Sequence, residues 1–322
     1  MRRVAFLSII LCGCGEELQK TPVPAAKDFT PWLVDEAKQR GVDFTWISGD
    51  TGTFNMPEII GGGAAMLDYD NDGDLDLYFV QGGHLGSTKT ESNVLLRNDD
   101  GNFTDVTAQS NTADTGYGMG IAVGDFNNDS FVDIYITNVG QNVLLKNNGD
   151  GTFEDVTEHA GVGDEGWGAS TAFADFDNDG DLDLVVNNVN MPTWIFKNNS
   201  DQLAGNNYIK FNLIGQEGNT SAIGAKIKVV QENQSYYVAQ QPIRGFQSSV
   251  DPRPNIGLPT SAKVDVEVSW PNGSISKLEN IDVNQTVILD QNTLPVEDLD
   301  QKKGGNAPLF VQIDGPDYRH VE

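Results

Sequence analysis

The chain has 322 residues, with 20 basic and 47 acidic side chains and a net charge of −27. A surface of that sign repels phosphates, which argues against nucleic acid and anionic lipid as partners. The chain contains 35 glycines, and no run of about 18 apolar residues follows its first dozen positions. We therefore expect a globular chain rich in strands and turns, long enough for two domains.

The N-terminus has the features of an export signal. Two arginines precede the apolar run 4–11, which is long enough for a signal peptide and too short to span a bilayer. The sequence "LCGC" at 11–14 resembles the lipobox of bacterial lipoproteins, in which lipid is attached to the last cysteine, here Cys14. We expect a bacterial lipoprotein at the outer membrane or cell surface, with ordinary secretion as the alternative. Because both cysteines, Cys12 and Cys14, lie in this signal, the exported body has no disulfide.

Three units of about fifty residues repeat along the chain. "DYDNDGDLDL" at 68 returns as "DFNNDSFVDI" at 125 and as "DFDNDGDLDL" at 175. "NVLLRNDDGNFTDVT" at 93 returns as "NVLLKNNGDGTFEDVT" at 142. Four short β-rich segments per unit are typical of a β-propeller blade. In the second unit these strands are predicted at 118–124, 131–138, 142–146 and 152–157.

The third unit has predicted strands near 168, 182 and 193 but no counterpart of "GTFEDVT". The segment "KDFTPWLVDEA" at 27–37 has the pattern of that fourth strand and is expected to complete the blade. Three blades are fewer than the roughly four to eight of a closed propeller. The C-terminal "PLFVQIDGPDYRHVE" resembles the start of another repeat. We expect an incomplete propeller whose further blades would follow Glu322; the alternative is an open, oligomeric or unusual three-blade assembly.

The acidic pattern D-x-D-x-D-G-x-x-D brings alternate side chains of a tight loop to one point, with glycine at the sharpest turn. Clustered carboxylates repel each other unless a hard cation lies among them, and calcium accepts irregular all-oxygen sites more readily than magnesium. We expect two or three calcium ions, the second loop binding most weakly because it has one carboxylate fewer and Ser130 in the glycine position. The predicted ligands are the side chains of Asp68, Asp70, Asp72 and Asp76 with the Asp74 carbonyl; Asp125, Asn127, Asp129 and Asp133 with the Phe131 carbonyl; and Asp175, Asp177, Asp179 and Asp183 with the Asp181 carbonyl.

The acidic loops have two other interpretations. An EF-hand requires glutamate at the twelfth position and a helix after the loop, whereas these loops have Phe79, Ile136 and Val186 there and lead into predicted strands. The second is a solvated acidic turn that binds no ion. Three copies in register favour calcium over that alternative.

The three units resemble FG-GAP/VCBS repeats, whose calcium-bearing loops join the first two strands of propeller blades. The segments "NNYIKFNLIG", "SAIGAKIKV", "RGFQSSVDPRPNIGLP" and "VDVEVSWPNGSISKLENI" resemble the ASPIC/UnbV domain. The combination resembles the cartilage acidic protein family and its bacterial relatives. Alternation of Val264, Val266, Val268 and Trp270 with polar residues predicts a strand with one buried face, in a small antiparallel sandwich or barrel. Gly224, Gly245 and Gly257 are assigned to backbone turns.

These observations predict an all-β chain of β-propeller-type blades followed by a small β domain. The predicted domains are a lipoprotein-type signal peptide at 1–14, a linker at 15–27, three calcium-binding repeats at 28–204, an ASPIC/UnbV-like domain at 205–290, and a polar linker with the start of a further repeat at 291–322.

For function, we expect a surface-exposed calcium-binding module that binds an unidentified protein or glycan, in the manner of an adhesion module. Its contact with the membrane would be only through the lipid anchor. The alternatives are purely structural support, or an enzyme or accessory protein acting on glycans or secondary metabolites. Catalysis is disfavoured because His84, His159 and His320 are the only histidines, and because the clustered aspartates are assigned to calcium. Exposure of His84 would favour catalysis, and the other carboxylate pairs leave a glycosidase open.

Overall fold

Within the described residues the computed structural model is all-β, as predicted, with its strands in five sheets. It describes residues 34–50, 52–86, 91–200, 206–241 and 251–295, together with the main chain of 297–298. Helical structure there is limited to short segments: a 3-10 turn at Lys38–Arg40 and the helices α1 (Met56–Ile60), α2 (Thr107–Ser110) and α3 (Thr157–Ala160). None of these helices is long and apolar enough to cross a membrane. The predicted lipidation site Cys14 and the repeat-like C-terminus lie outside the described residues.

Each of the three predicted repeats forms one antiparallel sheet whose strands pair in chain order. In every repeat the Asp-rich segment is the loop between the first two strands, because Asp, Asn and Gly favour tight turns and the alternating apolar flanks favour strands. The strands are β1 (Ala64–Leu67), β2 (Asp76–Phe79), β3 (Val94–Asp99) and β4 (Asn102–Asp105); β5 (Tyr117–Gly124), β6 (Asp133–Asn147) and β7 (Phe153–Asp155); and β8 (Gly168–Ala174), β9 (Asp183–Asn188) and β10 (Trp194–Phe196).

The second repeat departs from its predicted strand boundaries. The predicted strand 142–146 and all but the first two residues of the predicted strand 131–138 fall within the single element β6, with Gly140 between them at a φ of 112°. The first part of β6 pairs with β5 and its last residues pair with β7, so the sheet has three strands where four were predicted. The strand predicted at 152–157 is shorter, because α3 begins at Thr157.

In the third repeat, β8, β9 and β10 confirm the predicted strands near 168, 182 and 193. Within the described part of the chain no fourth strand pairs with β10. Of the segment 27–37, which was predicted to supply it, the structure describes only 34–37, and these residues form no strand.

Packing between consecutive repeats builds the core. One apolar cluster joins the first repeat, through Leu67, to the second, through Ile121. The next cluster joins the second repeat to the third, where the rings of Tyr135 and Phe173 meet edge-on with centroids 6.5 Å apart. Every residue of β5 is buried. Because burying one large apolar side chain stabilises by about 1.5–3 kcal/mol, each repeat depends on its neighbours for stability.

The strands of the second domain are β11 (Asn207–Ile214), β12 (Lys226–Gln231), β13 (Gln234–Ala239), β14 (Asn255–Leu258), β15 (Val264–Ser269), β16 (Ser274–Ile281), β17 (Gln285–Asp290) and β18 (Glu297–Asp298). They form two sheets, ordered β14–β11–β17 and β13–β12–β15–β16–β18. The prediction of a purely antiparallel domain was wrong, because β11 and β17 pair in parallel. The chain enters β17 from a strand of the other sheet, so it crosses between the sheets before pairing with β11.

The two sheets of the second domain share one apolar core. The predicted alternation in β15 is confirmed, since Val264, Val266 and Val268 are buried in that core. Trp270 is buried beside them, and its indole Nε1–H donates to Ser276 Oγ at 2.9 Å. The described residues from Ala37 onward lie in one compact unit, so the repeats and the second domain pack together.

Candidate calcium sites

The three Asp-rich loops share one hydrogen-bonding arrangement, centred on the last aspartate of each loop. Asp76 is fully buried, and its carboxylate accepts the main-chain N–H of Tyr69 at 3.0 Å and of Asn98 at 2.8 Å. Asp133 and Asp183 are equally buried and accept the corresponding pairs, from Phe126 and Asn147 and from Phe176 and Asn198. The last aspartate therefore ties its loop to a later segment of the same repeat.

In the first two loops the first aspartate closes the turn. Asp68 accepts the N–H of Asp72 at 3.1 Å and of Gly73 at 3.0 Å. Asp125 makes the two corresponding bonds, at 3.0 and 2.9 Å. The sharp turn predicted at the sixth position is confirmed, because φ is 95°, 79° and 102° at Gly73, Ser130 and Gly180. A serine in this conformation is strained.

Carboxylates converge in the first and third loops. Oxygens of Asp68, Asp70 and Asp76 all lie within 4.8 Å of one another. Oxygens of Asp175, Asp177 and Asp183 form a second group within the same limit. Within the described residues the second loop forms no such group of three.

The remaining predicted ligands lie outside these two groups. Asp72 accepts the N–H of Asp74 at 2.8 Å, and Asp74 accepts the N–H of Asp100 at 3.0 Å. In the second loop, the Asp129 carboxylate accepts from Asn127 at 2.8 Å and from the N–H of Phe131 at 3.0 Å. In the third, Asp181 is fully buried and accepts the hydroxyl of Ser200 at 3.0 Å, while Asp179 pairs with Lys197.

The first loop has the electrostatics of a cation site. Asp70 Oδ1 is buried without a hydrogen-bond partner, so one acceptor of the cluster is unsatisfied; Asp175 Oδ1 in the third loop is in the same state. Burial, together with the nearby carboxylates of Asp70 and Asp72, raises the pKa of Asp68 to about 7. Burial likewise raises the pKa of Asp76 to about 7. Burial and mutual repulsion make it unfavourable to keep these carboxylates ionised side by side, and a divalent cation would offset that free energy. Calcium takes about six to eight oxygen ligands of this kind. The residues of the first loop therefore fit calcium.

The third loop differs from the first because lysines contact its carboxylates. Lys210, from β11 of the second domain, forms an ion pair with Asp175. Lys197 forms an ion pair with Asp177 and contacts Asp179 Oδ2 at 3.1 Å. Burial opposes ionisation of Asp179, but the hydrogen bonds from Lys197 and Asp181 and the charge of Lys197 together outweigh it and lower the pKa of that carboxyl.

Sequence reasoning missed that each repeat carries a basic residue at the position of Lys197. Lys146 is the counterpart in the second repeat and lies 3.8 Å from Asp129. Arg97 is the counterpart in the first; it forms its ion pair with Asp99 at 2.9 Å and attracts Asp70 from farther away. The signal was available in "LLRN", "LLKN" and "IFKN", where one cation precedes the same asparagine.

Asparagines at the fourth loop position link each loop to the next. The side chain of Asn71 donates to the Ser130 carbonyl at 3.1 Å, and that of Asn128 donates to the Gly180 carbonyl at 3.2 Å. Asn178 occupies this position in the third loop, and its Oδ1 accepts from Arg253 of the second domain at 3.0 Å. The second domain thus takes the place that a following loop would hold.

A second set of asparagines joins the repeats from the opposite direction. Asn147 Nδ2 donates to the carbonyl of Tyr69, in the first loop, at 2.8 Å. Asn198 Nδ2 donates to the carbonyl of Phe126, in the second loop, at 2.6 Å. These asparagines follow the basic residue of each repeat, so the same short motif serves both the loop and the junction.

The second domain also packs directly on the second loop. Gly257, in β14, donates its N–H to the Asp125 carboxylate at 3.0 Å, and its carbonyl accepts the Ser130 hydroxyl at 2.6 Å. A Cβ on Gly257 would lie 2.2 Å from Asn128 Cα, so only glycine allows this contact. The assignment of Gly257 to a turn was therefore wrong, whereas Gly224 does have a turn-type φ of 91°. Gly245 lies outside the described residues.

Two family models match the chain where the sequence motifs lie. The model described as FG-GAP-like repeat matches residues 68–136 and 125–186, which include all three acidic loops. The model described as ASPIC and UnbV matches residues 215–295. The chain contains FG-GAP-like repeats and an ASPIC/UnbV domain. The FG-GAP-like repeats are of the β-propeller type, and both families are repeat or binding-type domains rather than enzymes. No curated protein matches the chain.

None of the three histidines that bear on catalysis lies within an acidic loop. His84 is exposed, and its Nδ1 lies 3.2 Å from the Gly49 carbonyl oxygen. His159 lies in α3, and His320 is outside the described residues. The exposure of His84 is the condition that favoured catalysis, and the contact of its Nδ1 is with the main chain at Gly49.

Proposed function

We propose that this chain is a calcium-stabilised, exported binding module of the adhesion type, held at the bacterial surface by a lipid on Cys14. The observation that carries the calcium assignment is the first loop. Three carboxylates converge there within 4.8 Å, and one of their oxygens is buried with no hydrogen-bond donor. In that loop Asp68, Asp70 and Asp76 would hold the ion, with calcium supplying the positive charge that the carboxylates lack.

The proposed architecture is three propeller-type blades at 28–204 followed by the ASPIC/UnbV domain at 205–290. Three blades are fewer than the roughly four to eight of a closed propeller. The contacts of Arg253 with Asn178 and of Gly257 with the second loop support a role of the ASPIC/UnbV domain in covering the loop ends of the blades.

Binding of a protein or glycan is supported by a cavity beside the first loop. It has a volume of about 190 Å³ and lies between Asp68 of the loop and the edge of the ASPIC/UnbV domain. Lys226, Lys228 and Tyr237 line the domain side, and the Lys228 ammonium lies 5.7 Å from the Tyr237 ring centroid. An aromatic face and hydrogen-bonding groups in one concave site are common in ligand-binding pockets.

The test of calcium binding is a calorimetric titration of the purified full chain, with thermal unfolding in parallel. Extracellular calcium modules bind with dissociation constants of about 0.1–1 mM. At 10 mM calcium, each occupied site should therefore raise the free energy of unfolding by about 1.4–2.7 kcal/mol. Asp70→Asn should abolish one site. Asp100→Asn, at an exposed position outside the cluster, is the matched control and should bind as the wild type does. Absence of binding to the wild type would refute the calcium assignment.

The test of the binding role is a glycan and surface-protein screen with the calcium-loaded chain. Any hit should weaken when Tyr237 is replaced by alanine, because Tyr237 lines the cavity. A hit that is unaffected by Tyr237→Ala would move the binding site away from this cavity.

A further inference from the structure

We propose that Lys210 of the ASPIC/UnbV domain is the resident cation of the third loop, so that this loop is a docking point between the domains and not a calcium site. The inference rests on the proposed function in one respect: it assumes that the other acidic loops are the calcium candidates. It assigns to the third loop a different partner, which the chain itself provides.

The burial of the pair is the first support. The side chains of Lys210 and Asp175 are 2% and 1% exposed. A lysine ammonium is rarely buried unless an opposite charge accompanies it, and removing either partner leaves a buried charge uncompensated. Lys210 therefore depends on the third loop for its charge balance as much as the loop depends on Lys210.

The hydrogen bonds of the first loop aspartate are the second support. Asp68 and Asp125 accept main-chain N–H groups of their own loops. Within the described residues Asp175 accepts no such loop N–H, and its hydrogen-bond donor is the Lys210 ammonium. The first position of the third loop thus takes its donor from the neighbouring domain alone. Asp68 and Asp125 close their own loops, although Asp125 also accepts the N–H of Gly257 from that domain.

The surroundings of the pair show that β11 is seated against the loop at close range. A Cβ on Gly180 would lie 1.9 Å from Cε1 of Tyr208, which is two residues before Lys210 on β11. On the other side of the loop, Arg253 donates to Asn178 and is itself paired with Asp251 at 2.6 Å. Two basic residues of the ASPIC/UnbV domain therefore contact the third loop.

Lys210, and not Lys197, distinguishes the third loop from the others. Arg97 and Lys146 are the counterparts of Lys197 in the first two repeats, so a basic residue at that position is common to all three repeats. Within the described residues no ion pair of this buried kind reaches Asp68 or Asp125. Lys210 contacts Oδ2 of Asp175, while Oδ1 is buried without a hydrogen-bond partner. A calcium ion at Oδ1 would share one carboxylate with the Lys210 ammonium and be repelled by it, and displacement of Lys210 would leave a buried ammonium without its partner.

Lys210→Met removes the charge and keeps an unbranched side chain of similar length. Calorimetric titration with calcium should show that Lys210→Met binds one ion more than the wild type. Lys263→Met is the matched control in the same domain, because Lys263 is 54% exposed and its ion pair is with Asp282. It should leave the number of ions unchanged. An unchanged number in Lys210→Met would overturn the proposal.

Asp175→Asn in the otherwise wild-type chain provides a second variant that does not require Lys210→Met to fold. It should leave the number of bound calcium ions unchanged, because Asp175 is engaged by Lys210. Loss of one calcium ion would show that the third loop binds calcium with Lys210 in place and would overturn the assignment.

A third measurement decides the docking role without calcium. In chelator, hydrogen exchange of β11 and of the third loop should become at least about tenfold faster in Lys210→Met than in the wild type. The double variant Lys210→Met/Asp175→Asn should recover much of the lost protection against exchange, because it leaves neither side chain as a buried charge without a partner. Exchange unchanged by Lys210→Met would refute the docking role. Failure of every chain to bind calcium would refute the proposed function, while this exchange experiment would still test Lys210.

Discussion

Replacing Asn147 by alanine tests whether buried asparagines hold the repeats together. Asn147 is fully buried at the end of β6. Its Nδ2 donates to the Tyr69 carbonyl at 2.8 Å and to the Val132 carbonyl at 3.3 Å, and its Oδ1 accepts the N–H of Gly149 at 3.0 Å. One side chain therefore satisfies three main-chain groups, one of which belongs to the first repeat.

The expected loss follows from those three bonds. A net hydrogen bond contributes about 1 kcal/mol, and a buried group left unsatisfied costs about 1–3 kcal/mol. Asn147→Ala should therefore lower the free energy of unfolding by about 3 kcal/mol or more. For a chain of this size, each kcal/mol corresponds to about 2–4 °C, so the melting temperature should fall by about 6–12 °C.

The assay is thermal unfolding in saturating calcium, followed by circular dichroism and calorimetry. Asn148→Ala is the matched control, because Asn148 is the next residue and is exposed. Its side chain donates to the nearby Thr152 hydroxyl at 3.2 Å, and its main-chain bond to Thr152 would survive the substitution. The control should stay within about 0.5 kcal/mol of the wild type. Equal melting temperatures for the two variants would show that the inter-repeat bond contributes nothing measurable, and the account of the junction would fail.

Three further outcomes are expected. Gly180→Ala should destabilise the chain by about 2–4 kcal/mol in denaturant unfolding, because the new Cβ would lie 1.9 Å from the Tyr208 ring. Gly151 has a similar φ but open space around it, so Gly151→Ala should cost about 1 kcal/mol. Equal effects of the two substitutions would exclude the steric explanation. Ser130→Ala should cost about 1–2 kcal/mol, because it loses the 2.6 Å hydrogen bond to the Gly257 carbonyl and keeps the strained φ. Ser130→Gly loses the same bond but relieves the strain, so it should cost less. The reverse order would contradict this assignment. In chelator, raising sodium chloride should raise the melting temperature, because the net charge is −27, and a flat response would argue against self-repulsion as a limit on stability.

Much of the fold was predictable because its signals are local. Period-two alternation marked β15, and the sixth position of each acidic loop marked a residue of positive φ. The strand boundaries in the second repeat were less predictable, since the predicted second and third strands fall within the single element β6. The parallel pairing of β11 with β17 was missed because strand order depends on where the chain crosses between sheets, which no short pattern encodes.

The sequence by itself determined the three repeats and the acidic loops between their first two strands. These follow from residue types spaced within a dozen positions, where turn chemistry and side-chain charge act directly. Only the tertiary structure decided which charges those loops meet. Lys210 reaches Asp175 across 35 residues of sequence, and Gly257 reaches Asp125 across 132. Such contacts depend on how two whole surfaces fit together, so the first aspartate of the same acidic motif closes its own loop in the first repeat and pairs with a lysine of another domain in the third.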